Sequence, residues 1–177
     1  MPDSVTLHKK RPIRLYTPDE RARRDATKWT VVQGILAPVQ FLAFAVSLGL
    51  VLRYLLTAQG YELATVSILV KTLLLYTIMV TGAIWEKVVF GQYLFAPAFF
   101  WEDVFSFAVI ALHTWYLVGL LTGSLSPPAQ MAVALAAYAA YVVNAGQFLW
   151  KLRTARLDAA ADDEADDSRR LVEGSMA

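Results

Sequence analysis

Cysteine is missing from all 177 residues. Its absence excludes disulfides, thiolate metal sites and a cysteine nucleophile. Histidine occurs only as His8 and His113, so paired histidines for a bis-histidyl haem are lacking inside the apolar region. The formal net charge of +1 favours no particular partner, and no nucleic-acid partner is expected. There is no phosphate loop, dinucleotide fingerprint or metalloprotease helix, and no segment repeats at a fixed period. The first 28 residues are polar. No short apolar run precedes a cleavage site there, so no signal peptide is expected.

Charge is also scarce between residues 29 and 150. The chain is 57% hydrophobic, against roughly 45–50% for a soluble domain, and its mean hydropathy is +0.46. The excess is concentrated in four runs, each near the ~20 residues needed to cross a bilayer. These runs predict an all-α polytopic membrane protein, a bundle of four transmembrane helices at about 29–56, 63–85, 100–121 and 128–150. A basic arm over 1–28 precedes the bundle, and an acidic tail over 157–177 follows it and is expected to be disordered.

Residues 1–16 read as a flexible tail. Thr17-Pro18-Asp19-Glu20 then reads as a helix start. Thr17 would be the N-cap, Pro18 the first helical residue, and Glu20 would close a capping box. The basic segment that follows predicts a short helix on the membrane surface. In the first span Pro38 predicts a kink. Gln33, Gln40, Ser47 and Tyr54 recur every seven residues and form a polar stripe suited to meeting other helices. Lys71 lies near the middle of the second span, where it must snorkel, pair or line a polar cavity. In the third span Glu102, Ser106 and His113 share one face, with Asp103 adjacent. At 1.5 Å per residue, His113 should lie roughly 16 Å above Glu102 and Lys71 roughly 22 Å above Glu86, so Lys71 and His113 can share a level. Ser126 is a candidate N-cap for the fourth span, and Asn144, Gln147 and Lys151 make a second polar stripe near its end.

Lys and Arg cluster in the N-terminal arm and at the end of the fourth span, and the link between spans three and four carries no charge. The positive-inside bias places both termini in the cytoplasm. The segment 85–103 would then face the cytoplasm as well. Glu86, Lys87, Glu102 and Asp103 stand at its ends, with aromatic residues, Gly91 and Pro97 between. Trp29, Trp85, Trp101 and Trp150 fall at the same face, as an aromatic belt would. Carboxyl groups at such a low-dielectric boundary are suited to donating protons. Residue types alone lead as far as a four-span membrane protein with an acidic, aromatic cleft. His113 reads as a packed side chain, an axial ligand or a proton relay.

Three segments carry a resemblance: Trp-Thr-Val-Val-Gln-Gly-Ile-Leu-Ala-Pro-Val-Gln-Phe (29–41), the long run from Lys71 to Asp103, and Tyr-Val-Val-Asn-Ala-Gly-Gln-Phe-Leu-Trp-Lys (141–151). With them, residues 15–157 resemble the 3-vinyl bacteriochlorophyllide hydratase family of bacteriochlorophyll biosynthesis. The resemblance implies a hydro-lyase that adds water to the C3 vinyl group of a magnesium chlorin or bacteriochlorin. The product would be the 3-(1-hydroxyethyl) compound, which a separate dehydrogenase would oxidise to the 3-acetyl group. Glu86, Glu102 and Asp103 are then the candidates for acid, base and cation stabilisation. Lys87 and Lys71 are candidates for binding the propionate. Trp85, Trp101, Tyr93, Asn144 and Gln147 are candidate substrate contacts, and His113 is a candidate axial ligand to the substrate's magnesium. No cofactor is expected beyond water as co-substrate. The expected setting is the bacterial cytoplasmic or intracytoplasmic photosynthetic membrane, with other enzymes of the pathway as candidate partners. The competing reading is a non-catalytic membrane tetrapyrrole carrier or assembly subunit, and a haem-binding electron-transfer subunit is a third.

Overall fold

The computed structural model describes residues 15–175. The expectations for residues 1–14, His8 included, lie outside the described residues. Within them the chain forms α1 (Pro18–Ala26), α2 (Lys28–Thr57), α3 (Tyr61–Phe90), α4 (Phe100–Thr122) and α5 (Pro127–Ser175), with no strand. Lys28–Thr57, Tyr61–Phe90, Phe100–Thr122 and Pro127–Leu157 are long and apolar enough to cross a membrane.

Local signals account for the ends of these helices. At α1, Thr17 Oγ1 accepts from the Glu20 N–H at 3.3 Å, and Glu20 Oε2 accepts from the Thr17 N–H at 2.8 Å. Two otherwise unpaired donors of the first turn are thereby satisfied. α2 runs unbroken through Pro38. α3 stops at Gly91, whose φ of 86° suits a residue without a side chain.

Three boundaries differ from the sequence expectation. α3 continues past Trp85 to Phe90, because nothing from Glu86 to Phe90 breaks a helix and Gly91 is the first residue that does. The tail expected to be disordered is helical backbone to Ser175. Alanine, leucine and arginine extend a helix once it is nucleated, and no proline or glycine interrupts it from 147 to 173. The third difference is Tyr16, which is buried rather than part of a loose arm.

Tyr16 stacks on Phe90 with ring centres 5.8 Å apart and packs with Val89 and Phe99. The Arg23 Nε–H donates to the Val89 carbonyl at 2.8 Å, so α1 caps one of the orphan carbonyls at the end of α3. The Arg24 guanidinium lies over the Tyr16 ring at 4.8 Å. Burial holds the Tyr16 phenol above its ordinary range, and Arg24 beside Asp25 holds that carboxyl below its own.

α2 and α3 form one closely packed hairpin, and α4 and α5 form a second. Backbones approach less between the hairpins, because long side chains fill the seam. Phe44 meets Tyr138 edge-on at 5.5 Å and Tyr141 at 4.9 Å, and Val51, Ile68, Leu75, Val109, Tyr116 and Met131 continue that core. The outside is apolar, with Val31, Ile35, Leu42, Leu73, Val118 and Leu121 exposed. The inside holds Gln40, Ser47, Lys71, Glu86, Glu102, Asp103, Ser106, His113 and Asn144. This inversion suits a chain whose solvent is lipid, where polar side chains must find partners within the bundle.

Candidate active site

The seam is acidic at the end where α3 passes into α4. Glu86 lies in the last turns of α3, and Asp103 in the first turn of α4. Residues 91–99 join them and fold back over both. Phe95 takes a left-handed φ of 58°, which carries the chain through the reversal at a cost of roughly 1–2 kcal/mol. Successive backbone donors then reach the two acids. The Phe95 N–H donates to Asp103 Oδ2 at 2.6 Å, and the Ala96 N–H donates to Glu86 Oε2 at 3.2 Å. The Phe95 ring stacks on Phe107 at 5.5 Å and leans on Phe100 at 5.7 Å, so packing on α4 offsets the backbone cost.

The Phe95 and Ala96 donors are adjacent in the chain, so the Glu86 and Asp103 carboxyl groups they hold are brought together in the buried seam. Two carboxyl groups gathered out of water disfavour two full charges side by side.

Glu102 is buried next to this pair but is held differently. Lys151 Nζ donates to Glu102 Oε2 at 2.6 Å and also to the Ala98 carbonyl. The charge of Glu102 is matched by a cation from α5, whereas Glu86 and Asp103 are each held by a neutral backbone donor. One turn further in, the Asn144 amide donates to Ser106 Oγ at 2.9 Å.

Lys71 and His113 do share a level, and they touch. Their nitrogens Nζ and Nε2 are 3.2 Å apart, with the two residues 0% and 1% exposed. His113 Nδ1 lies 2.8 Å from the Val109 carbonyl. Nδ1 is therefore the protonated nitrogen, and Nε2 accepts from the lysine. Lys71 lies over the Tyr141 ring at 4.3 Å and the Tyr138 ring at 5.3 Å. It pairs inside the bundle and does not snorkel. The imidazole nitrogen that would bind a magnesium is the one Lys71 occupies.

The remaining candidates spread over the same face. The Trp85 indole donates to Thr30 Oγ1 at 2.9 Å and packs edge-on against Phe90 and Phe99. It ties α3 to α2. Trp101 and Tyr93 are exposed. Lys87 donates to the Gly91 carbonyl at 2.7 Å and lies over Tyr93. Gln147 is half-buried, and its Oε1 has no hydrogen-bond partner among the described residues. No cluster of three or more His, Asp or Glu side chains arranged to hold a metal ion occurs among the described residues.

A family model described as 2-vinyl bacteriochlorophyllide hydratase (BCHF) matches residues 16–154. The chain belongs to that family. It is 76% identical over 149 residues to the 2-vinyl bacteriochlorophyllide hydratase of Rhodobacter capsulatus, covering 84% of this chain and 86% of that protein. It is also 76% identical over 148 residues to the protein of that name from Cereibacter sphaeroides, covering 84% of this chain and 92% of the relative. No solved structure matches the chain.

The grouping of Glu86 with Asp103, apart from Glu102, is not visible from residue types alone. Glu86, Glu102 and Asp103 stand as equals in sequence. The difference between them comes from Lys151 and from the backbone donors of Phe95 and Ala96. Gln40 reads only as part of a stripe, yet it is 2% exposed and both polar atoms of its side chain are unpartnered among the described residues. The seven-residue repeat is the one signal that pointed toward it.

Proposed function

We propose that this chain hydrates the C3 vinyl group of a magnesium chlorin or bacteriochlorin to the 3-(1-hydroxyethyl) group, and that the Glu86–Asp103 pair carries the chemistry. The supporting observation is a buried carboxyl pair held by adjacent backbone donors at an aromatic end of a membrane bundle, in a family named for that hydration. The protonated member of the pair gives its proton to the terminal vinyl carbon. The double bond's electron pair forms the new C–H bond and leaves a cation at the ring-attached carbon, delocalised into the macrocycle. A water oxygen bonds to that carbon, and the water's surplus proton goes to the carboxylate. The pair ends with one proton, as it began, and the net change is addition of one water. Glu102, an anion held by Lys151, helps stabilise the cation.

The reaction transfers no electrons and so calls for no redox cofactor, and the magnesium belongs to the substrate. Trp85, Trp101 and Tyr93 offer aromatic surface to a flat pigment. Lys87, exposed at this face, is placed to meet the propionate. Lys71 and His113 would meet the pigment only if it enters the seam. The proposed setting is the bacterial cytoplasmic or intracytoplasmic photosynthetic membrane, with both termini cytoplasmic.

The test supplies 3-vinyl chlorophyllide in oxygen-18 water to membranes containing this protein as the only pigment enzyme. A product heavier by one labelled water is expected. Folded protein that binds pigment and leaves the vinyl group unchanged would turn the reading to a carrier.

A further inference from the structure

The acid pair explains the proton but not how water reaches a cation in an apolar bundle. Gln40 is 2% exposed and Asn144 8%. The structure gives no partner, among the described residues, to Gln40 Nε2, Gln40 Oε1, Asn144 Oδ1 or Gln147 Oε1. Buried polar atoms are almost always hydrogen-bonded in folded proteins, to protein or to ordered water.

Their placement converges. Phe44 of α2 meets Tyr141 of α5 at 4.9 Å, and these helices run in opposite directions. One turn from that contact on each helix brings Gln40 level with Asn144. Asn144 in turn is bonded to Ser106, which lies three residues, or about 4.5 Å of rise, beyond Asp103 on α4. Gln147 lies one turn further along α5 toward Lys151. Gln40 and Asn144 therefore lie about one turn behind the carboxyl pair, and Gln147 lies level with it.

Their chemistry selects the ligand class. Three of the four atoms are carbonyl oxygens, which need donors. The keto and ester groups on a chlorin's edge are acceptors and would leave those oxygens unpaired. A water donates twice and accepts twice, and it needs two to four polar partners. We infer that Gln40, Asn144 and Gln147 form a water site that runs from one turn behind Glu86 and Asp103 to their level and supplies the co-substrate water. The inference rests on the hydration reading above.

The test runs the reaction in deuterium oxide with Gln40→Met, which keeps the side chain's volume and removes both polar atoms. A cation that water fails to capture loses a proton and returns to the vinyl compound. Slower capture therefore leaves deuterium in the vinyl group of recovered substrate. The ratio of vinyl deuterium to alcohol product should rise about tenfold, as expected for loss of roughly one hydrogen-bonding interaction, with pigment affinity unchanged. Damage to the acid pair would lower exchange and product together and leave the ratio alone. An unchanged ratio overturns the water site. Weakened pigment binding with an unchanged ratio also overturns it and assigns the amides to the pigment. Gln147→Met, at a half-buried position, carries the same test should Gln40→Met fail to accumulate. Wild-type protein that incorporates no oxygen-18 fails the hydration reading itself, whereas label in the wild type with an unchanged ratio in the variants fails the water site alone.

Discussion

Glu86 and Glu102 are both buried glutamates at the same end of the bundle, yet they differ in what replaces water around them. Glu86 has one backbone donor and a second carboxyl group, whereas Glu102 has a lysine ammonium. Their conservative variants should therefore fail in different ways. Glu86→Gln and Asp103→Asn should each lower turnover by about 10²–10⁴-fold while the purified protein still binds pigment, as read by product formation and by the pigment's absorption shift. Glu102→Gln leaves Lys151 without its anion, so it should cost about 1–3 kcal/mol of stability and lower turnover less than Glu86→Gln. A thermal melt in detergent beside the rate assay separates the two. Lys71 is a third kind of site, a buried amine whose hydrogen bond goes to an imidazole. Lys71→Met leaves His113 Nε2 without its donor and is expected to lower the melting temperature, through a loss of about 1–3 kcal/mol of stability.

At the scale of elements, the connection over residues 91–99 does more than join two spans. It bends at Gly91, turns left-handed at Phe95, and gives two successive N–H groups to the acids. Phe95→Ala loses the stacking on Phe107 and keeps the unfavourable φ, whereas Phe95→Gly loses the same ring and relieves the φ. The glycine variant should therefore be the more stable of the two by about 1 kcal/mol, measured by denaturation in mixed micelles. Little of this segment's role was legible in the sequence. Its aromatic character could be read. The donation from Phe95 and Ala96 could not, because backbone donors carry no residue signature. The spans were legible because apolar length is a direct physical requirement. The shared level of Lys71 and His113 was legible because helical rise converts sequence distance into depth; their contact was not. The end of α3 and the long α5 were not legible, because loss of apolar character does not mean loss of helix. Charge density governs where a helix leaves lipid, whereas glycine and proline govern where it ends.

For the whole molecule, four antiparallel spans put the two ends of the bundle on one side, together with the carboxyl pair. The concentration of Lys and Arg there predicts that this side faces the cytoplasm. A reporter fused after residue 157 should be active in its cytoplasmic form, and one inserted between Gly123 and Ser126 only in its exported form. The reverse pattern would place the acid pair outside. The polar interior and apolar exterior also mean that detergents, by mimicking lipid, should leave the seam intact.

Glu86 and Asp103 come from different hairpins. Glu86 enters the membrane with the first hairpin and Asp103 only with the second. Under the proposed mechanism, a truncated or half-inserted chain therefore presents a lone carboxyl group to passing pigment, and hydration waits on docking of the second hairpin against the first.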